Sequence, residues 1–249
     1  MPRSILLLSG SYVHGSGYLE TYEEVIVNFT SGISSMIFVP YAAAKQNWDS
    51  YTEKARIKCK EWGINITGIH EPGVCGSLDN YEAIFVGGGN TFRLLHSLQK
   101  QGLLNAICKA VNDNGMRYMG SSAGSNIACP TICTTNDMPI IYPEAGFGAL
   151  NLVSFQLNPH YIDPDITSKH MGETREDRIK EFHEVNATPV VGLREGAYLE
   201  ISEEYYASGK LYLGGNNGAK FFFPGKDPID ITTASFIIFQ KQSIEIVHI

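Results

Sequence analysis

The chain has 249 residues, 43% of them hydrophobic and 18% charged, which is the composition of a globule able to bury a large core. Its 26 acidic against 19 basic residues leave a formal charge of −7, which argues against broad binding to nucleic acid or to an anionic membrane surface. No repeat or low-complexity segment interrupts it, and the length suits a single α/β domain over residues 1–249.

The opening stretch, Met1 to Ser9, contains an apolar run too short for a signal sequence, and no later stretch approaches a membrane span, so a cytoplasmic protein is expected. Residues 4–8 read as a buried first strand that turns at Ser9-Gly10-Ser11. Glu20 to Phe29 is helix-compatible, and Ser35 to Val39 reads as a second strand stopped by Pro40. An amphipathic helix follows Asn47 and runs to about Trp62, with Gly63 as its stop signal. Ile64 to His70 alternates like a strand. Ala83 to Val86 is a short apolar strand entering Gly87-Gly88-Gly89-Asn90, after which Thr91 to Leu98 and Leu103 to Val111 have helical spacing.

The run from Gly115 then enters a knot of small residues, Gly120-Ser121-Ser122-Ala123-Gly124, before a helix-compatible segment. Leu152 to Leu157 returns to strand character and delivers Asn158-Pro159-His160, and Gly172 to Val185 reads as a charged helix. Pro189 to Leu193 is a short strand ending in Arg194-Glu195-Gly196, and Ala197 to Ile249 reads as short antiparallel strands at a sheet edge. Strands alternating with helices predict an α/β fold: a three-layer arrangement with a parallel-rich sheet flanked by helices and an antiparallel β extension near the C-terminus. Functional loops should gather at the carboxyl ends of the parallel strands.

The five small residues fit G-x-S-x-G, the pattern of a sharp strand-to-helix turn that exposes the central hydroxyl at a helix N-terminus. There the Ala123 N–H can face a developing oxyanion, and Gly89 on the neighbouring glycine-rich loop can supply a second donor. A phosphate cradle is the competing reading of such loops. A serine nucleophile needs a base, and the base needs an acid to orient it. His160, just after an apolar strand and the rigid Asn158-Pro159 pair, is the first candidate base, with His70 in reserve. Asp137 and Glu195 both qualify as the acid, and the sequence leaves the two open. Five cysteines, an odd number, are expected as reduced structural thiols, and Cys129 with Cys133 would make a ligand pair only on a helix that Pro130 disfavours; no metal site is expected.

Several ordered motifs resemble one family, the peptidase E or α-aspartyl dipeptidase serine peptidases: Val86 to Phe92, Ser122-Ala123-Gly124, Ala128 to Ile132, Thr134 to Ile140, Asn158-Pro159-His160, Gly172 to Arg175, and Gly192-Leu193 with Glu195-Gly196. The resemblance spans roughly residues 4–220. It implies a fold like that of class I glutamine amidotransferases and a cofactor-free, metal-free cytoplasmic hydrolase of dipeptides with an N-terminal aspartate, Asp-Xaa. It implies Ser122 as nucleophile and His160 as base, with the acid at the position of Asp137 or of Glu195. Ser121 stands where relatives commonly carry tryptophan, and Arg194 where a proline is common. An Asp-Xaa substrate brings a side-chain carboxylate and a free ammonium; Arg175 is the expected partner of the first, and Asp137 or Asn90 of the second. The alternatives are a broader serine hydrolase, cyanophycinase-like or an esterase, and a phosphate- or nucleotide-binding module. A monomer or homodimer is expected.

Overall fold

The first apolar run forms β1 (Ser4–Leu8), and the other strands are laid down to either side of it. The computed structural model describes residues 4–74, 78–165, 167, 169, 171–202, 210–232, 234–240 and 243–247; Cys75, His170 and His248 lie outside them. In chain order follow α1 (Glu23–Phe29), β2 (Ser35–Val39), α2 (Trp48–Lys60), β3 (Asn65–Gly68), β4 (Ala83–Val86), α3 (Thr91–Lys100), α4 (Leu103–Asn112), β5 (Arg117–Ser121) and α5 (Ala123–Asn126). The second half contributes β6 (Gln156–Tyr161), α6 (Arg175–Val185), β7 (Val190–Arg194), β8 (Ala197–Ser202), β9 (Lys210–Gly215), β10 (Ala219–Phe222), β11 (Ile229–Ile231), β12 (Ser235–Gln240) and β13 (Ser243–Val247).

A large sheet has the order β13-β12-β9-β8-β1-β5-β4-β2-β3. From β1 to β3 the pairing is parallel, and from β1 outward through β8 it is antiparallel, which is the predicted β extension at the sheet edge. Alternation along the strands sorts the core. Ile5, Leu7, Ile37, Val39, Ile84, Val86 and Tyr118 face α3 and α4, whereas Leu6, Leu8, Met36, Phe38, Phe85 and Met119 face α1 and α2. Each fully buried side chain of this size contributes about 1.5–3 kcal/mol, so a one-residue slip in β1 would exchange one core for the other and is strongly opposed.

A second sheet, in the order β11-β10-β7-β6, was not foreseen from the sequence. It covers the α3/α4 face of the large sheet through Leu157, Val191, Leu193, Ala219 and Phe221. Its other face, with Tyr161, Val190 and Phe222, packs on Ile179 and Phe182 of α6. Two boundaries differ from the sequence reading for local reasons. The apolar residues Leu152, Val153 and Phe155 are buried but not in a strand, because this segment spends its amides on the turn after α5: Leu150, Asn151 and Leu152 N–H donate to the carbonyls of Ile127, Cys129 and Ala128. The charged helix starts at Arg175, not Gly172, because Thr174 and Asp177 form a reciprocal cap in which each side chain accepts the other's N–H. Among the described residues, no helix is long and apolar enough to cross a membrane.

The small sheet carries an ionic lattice. Arg194 on β7 binds Asp163 through two hydrogen bonds, of 2.7 and 3.0 Å, and Asp230 on β11 through two more, of 2.9 and 3.0 Å. Lys220 on β10 reaches Glu176 of α6 at 3.0 Å and Asp163 at 3.7 Å. The Arg194 guanidinium holds the Asp163 carboxyl below its ordinary range; for Glu176, burial pushes upward but the bonds from Lys220 and Lys180 outweigh it, and the net direction is also down. A carboxyl with a lowered folded-state pKa binds protons more weakly folded than unfolded, so its stabilisation is complete above the ordinary carboxylate range and is lost as pH falls through the folded value. Melting curves from neutral pH into acid should show this loss in the wild type and a shallower loss in Arg194→Met, which should be less stable by about 1–3 kcal/mol at neutral pH.

Candidate active site

The turn at Ser122 is built by exclusion of side chains. A Cβ on Gly120 would stand 2.4 Å from the Gly124 carbonyl oxygen, and one on Gly124 would stand 2.0 Å from that of Val86. Only glycine fits at either place, so α5 lies directly against β4 and the chain reverses within one residue. That residue, Ser122, takes φ 54° and ψ −110°, a region costly for a residue with a Cβ. It is held there by its own N–H on the Leu8 carbonyl, 3.1 Å, and by Ser125, whose hydroxyl bonds the carbonyls of Leu8 and Gly120 at 2.6 and 2.8 Å.

Ser122 Oγ lies 2.9 Å from His160 Nε2, and His160 Nδ1 lies 3.0 Å from Glu195 Oε1. His160 belongs to β6 rather than to a loop after a strand. It sits at a shift in the pairing of β6 with β7, with φ 52°, and this irregularity turns its ring toward the serine. The parallel register sets Tyr161 opposite Arg194, so Glu195, the next residue, flanks the imidazole. Ser9 ties the arrangement to β1: its hydroxyl donates to the Leu193 carbonyl at 2.8 Å and accepts the His160 N–H at 3.0 Å. Gly10 makes room for the ring, since a Cβ there would meet His160 Cε1 at 2.7 Å.

Asp137 takes a different place. Its Oδ2 accepts from the Thr91 N–H and hydroxyl at 2.7 and 2.6 Å and from the Thr135 hydroxyl at 3.2 Å, which fixes it at the N-terminus of α3. Its Oδ1 has no hydrogen bond among the described residues. The preceding Asn136 donates to the Pro159 carbonyl at 2.7 Å and accepts from Asn158 at 2.8 Å, so the Thr134–Asp137 stretch braces α3 against the strand that bears His160. Asn90 is the N-cap of α3: its oxygen accepts the Arg93 N–H and its amide donates to the Met138 carbonyl. Both ends of the Asn90 side chain are thus engaged at the start of α3.

Arg175 is half-buried at the start of α6 and has no hydrogen bond or ion pair among the described residues. Burial lowers its pKa, Arg178 adds to the effect, and the Asp137 carboxylate opposes it. The N–H groups of Gly89 and Ala123 likewise have no partner among the described residues, whereas Gly88 N–H donates to the Tyr51 hydroxyl at 2.9 Å. Gly89 has φ 137°, and a Cβ there would strike the Ala42 carbonyl. A cavity of about 730 Å³ opens over Ser122, His160, Glu195, Asp137 and Gly89, with α2 supplying another wall.

His70 lies outside that cavity, bonded to Asp49 at 2.9 Å and packed on Trp48. No helix spans Cys129 and Cys133, since α5 ends at Asn126. Ser121 is buried with no partner for its hydroxyl among the described residues, while Arg194 anchors the ionic lattice beside Glu195. The contributions of Ser9, Gly10 and Tyr51 were missed from the sequence. Only the Ser9-Gly10-Ser11 turn after β1 signalled a loop at the functional edge.

A hydrogen-bonded serine, histidine and glutamate at a strained strand-to-helix turn are the parts of a serine hydrolase site. The model of peptidase family S51 matches residues 5–224, and the chain belongs to that family. It is 46% identical over 233 residues to a peptidase E of Streptomyces coelicolor, a match covering 93% of this chain and 92% of the relative. It is 44% identical over 223 residues to a Drosophila melanogaster protein named "Probable alpha-aspartyl dipeptidase", covering 88% and 90%, and 41% identical over 231 residues to a Shigella flexneri peptidase E, covering 91% and 96%. In fold it is similar to a solved peptidase from an acI-B1 Actinobacterium, with a TM-score of 0.64, 14% identity and coverage of 95% of this chain and 97% of that one.

The turn yields a stability test. Ser122→Gly should stabilise the fold by about 1 kcal/mol, because relief of a strained φ exceeds the entropy cost of glycine. Gly124→Ala should destabilise it by about 3 kcal/mol, since a backbone carbonyl cannot move aside as a side chain can. Urea unfolding of both variants reads the two signs.

Proposed function

We propose that the chain is a serine dipeptidase that hydrolyses Asp-Xaa dipeptides through an acyl-enzyme on Ser122. The observation that carries the reading is the continuous line from Ser122 Oγ through both ring nitrogens of His160 to Glu195, with bonds of 2.9 and 3.0 Å. His160 Nε2 takes the serine proton as Oγ attacks the aspartyl carbonyl. Glu195 accepts from Nδ1–H, which fixes the ring and its tautomer and stabilises the imidazolium that forms. The N–H groups of Gly89 and Ala123 receive the oxyanion, His160 protonates the leaving amine, and water then releases aspartate by the same route.

Selectivity for an N-terminal aspartate has a charge logic. The Arg175 guanidinium, unpaired among the described residues, takes the side-chain carboxylate, and Oδ1 of Asp137 takes the free ammonium; this division of labour is supported by Asp137 being bound to the α3 N-terminus through Oδ2. The two acids thus act differently: Glu195 on the base, Asp137 on the substrate. The reading includes no metal or cofactor and a cytoplasmic monomer or homodimer acting on dipeptides from intracellular peptide turnover.

Purified protein should release leucine from Asp-Leu and not from Ala-Leu or N-acetyl-Asp-Leu, and Ser122→Ala should abolish release. Absence of turnover by a folded wild type would sink the reading and favour a binding module. Glu195→Gln should lower kcat by about 10³–10⁴ with little change in KM, as expected for loss of ring orientation. Asp137→Asn should instead raise KM for Asp-Leu by about tenfold or more, the loss of one charge-assisted bond. Steady-state kinetics on the two variants separates the roles.

A further inference from the structure

One wall of the cavity comes from the segment that leads into α2 and from α2 itself, where Asn47, Ser50, Tyr51 and Lys54 recur at three- and four-residue spacing on one face. Among the described lining residues Lys54 is the cation, set against the carboxylates of Asp137 and Glu195. Its ammonium makes no ion pair among the described residues. It donates to the Tyr12 hydroxyl at 3.1 Å and lies 5.5 Å from the ring centres of Tyr12 and Tyr18 and 5.9 Å from that of Tyr51. Lys58, Lys180 and Lys220, by contrast, have glutamate partners. Aromatic faces attract a cation without cancelling its charge, so Lys54 is held in place while its charge stays available to a ligand.

Its position relative to the serine follows from contacts. The Tyr51 hydroxyl accepts from Gly88 N–H at 2.9 Å, and a Cβ on Gly88 would stand 3.8 Å from Ser122 Oγ. Tyr51 is therefore one residue removed from the nucleophile, and the Lys54 head lies across its ring. In a bound dipeptide the terminal carboxylate is also one residue removed from the scissile carbonyl, since consecutive Cα atoms are about 3.8 Å apart. Lys54 is exposed and lines the same cavity as Ser122, so its ammonium is open to a ligand bound there.

We propose that Lys54, steadied by Tyr12, Tyr18 and Tyr51, binds the α-carboxylate of the leaving residue and so selects substrates with a free C-terminus one residue beyond the cleaved bond. The inference rests on the dipeptidase reading above and adds to it a second charged anchor. The substrate is then read at both ends, its aspartate by Arg175 and Asp137 and its far carboxylate by Lys54. A longer peptide or an amide places a neutral group against the ammonium and loses the pairing.

The test compares kcat/KM for Asp-Leu and Asp-Leu-amide in the wild type, Lys54→Met and Lys54→Arg. The wild type should prefer the free acid by about tenfold, the scale of a charge-assisted bond partly screened by solvent. Lys54→Met should bring the ratio close to one, chiefly through KM for the acid, and Lys54→Arg should restore most of the preference. Methionine is a good helix former at an exposed site, so the fold should survive, and an unchanged melting temperature checks it. An unchanged ratio in Lys54→Met, with active wild type, overturns this inference alone. A wild type that cleaves neither compound overturns the dipeptidase reading and this inference together.

Discussion

The carbonyl oxygen of Val86 occupies the space that a Cβ on Gly124 would need, and the carbonyl of Gly124 does the same to Gly120. This double contact lets α5 descend onto β4 with no intervening side chain and forces the reversal into Ser122 alone. Backbone strain at that residue is balanced by ordinary hydrogen bonds, among them Ser122 N–H to the Leu8 carbonyl and the Ser125 hydroxyl, whose one proton is shared between the Leu8 and Gly120 carbonyls. The same geometry leaves the Ala123 amide without an intrahelical partner, as at any helix start. The exposed Ser122 hydroxyl and the Ala123 amide at the helix start are thus two results of one packing constraint, the two groups to which the proposed mechanism gives attack and oxyanion binding.

A second constraint joins the layers. Ser122 follows β5 of the large sheet, while His160 lies on β6 of the small one and Glu195 directly follows its β7, so their alignment depends on how the two sheets dock. Apolar contacts supply the adhesion but are non-directional. Direction comes from polar links that cross the interface: Ser9 between β1 and the small sheet, Asn126 to the Leu157 carbonyl at 2.7 Å, and the Asn136 and Asp137 pair, which spans from β6 to α3. Behind the small sheet, the Arg194 lattice ties β7, which leads directly into Glu195, to α6, which carries Arg175.

The sequence was most legible where one local cause dominates. Ser35 to Val39 and Ala83 to Val86 emerged with the observed bounds, because continuous apolar runs flanked by Pro or Gly have few other readings. Glycine spacing gave the Ser122 turn for the same reason. His160 was read as a loop residue because Asn-Pro precedes it; its place inside β6 at a pairing shift depends on β7, some thirty residues on. The choice between Asp137 and Glu195 was likewise not local. Both are carboxylates in polar turns, and only the register that sets Arg194 opposite Tyr161 brings one of them to the imidazole. Lys54 reads as any exposed lysine on an amphipathic helix, because Tyr12 and Tyr18, which join Tyr51 around it, are distant in sequence.

The division of the site between two layers has a consequence for the chain as it is made. The serine is separated from its histidine by 38 residues and the histidine from its glutamate by 35, and synthesis delivers them in that order. A nascent chain emerging from the ribosome can present the serine turn with no base beside it, and its hydroxyl is then inert. Under the proposed mechanism, reactivity arises only when the small sheet closes over the parallel core, so an incomplete chain carries no active hydrolase into the surrounding pool of peptides.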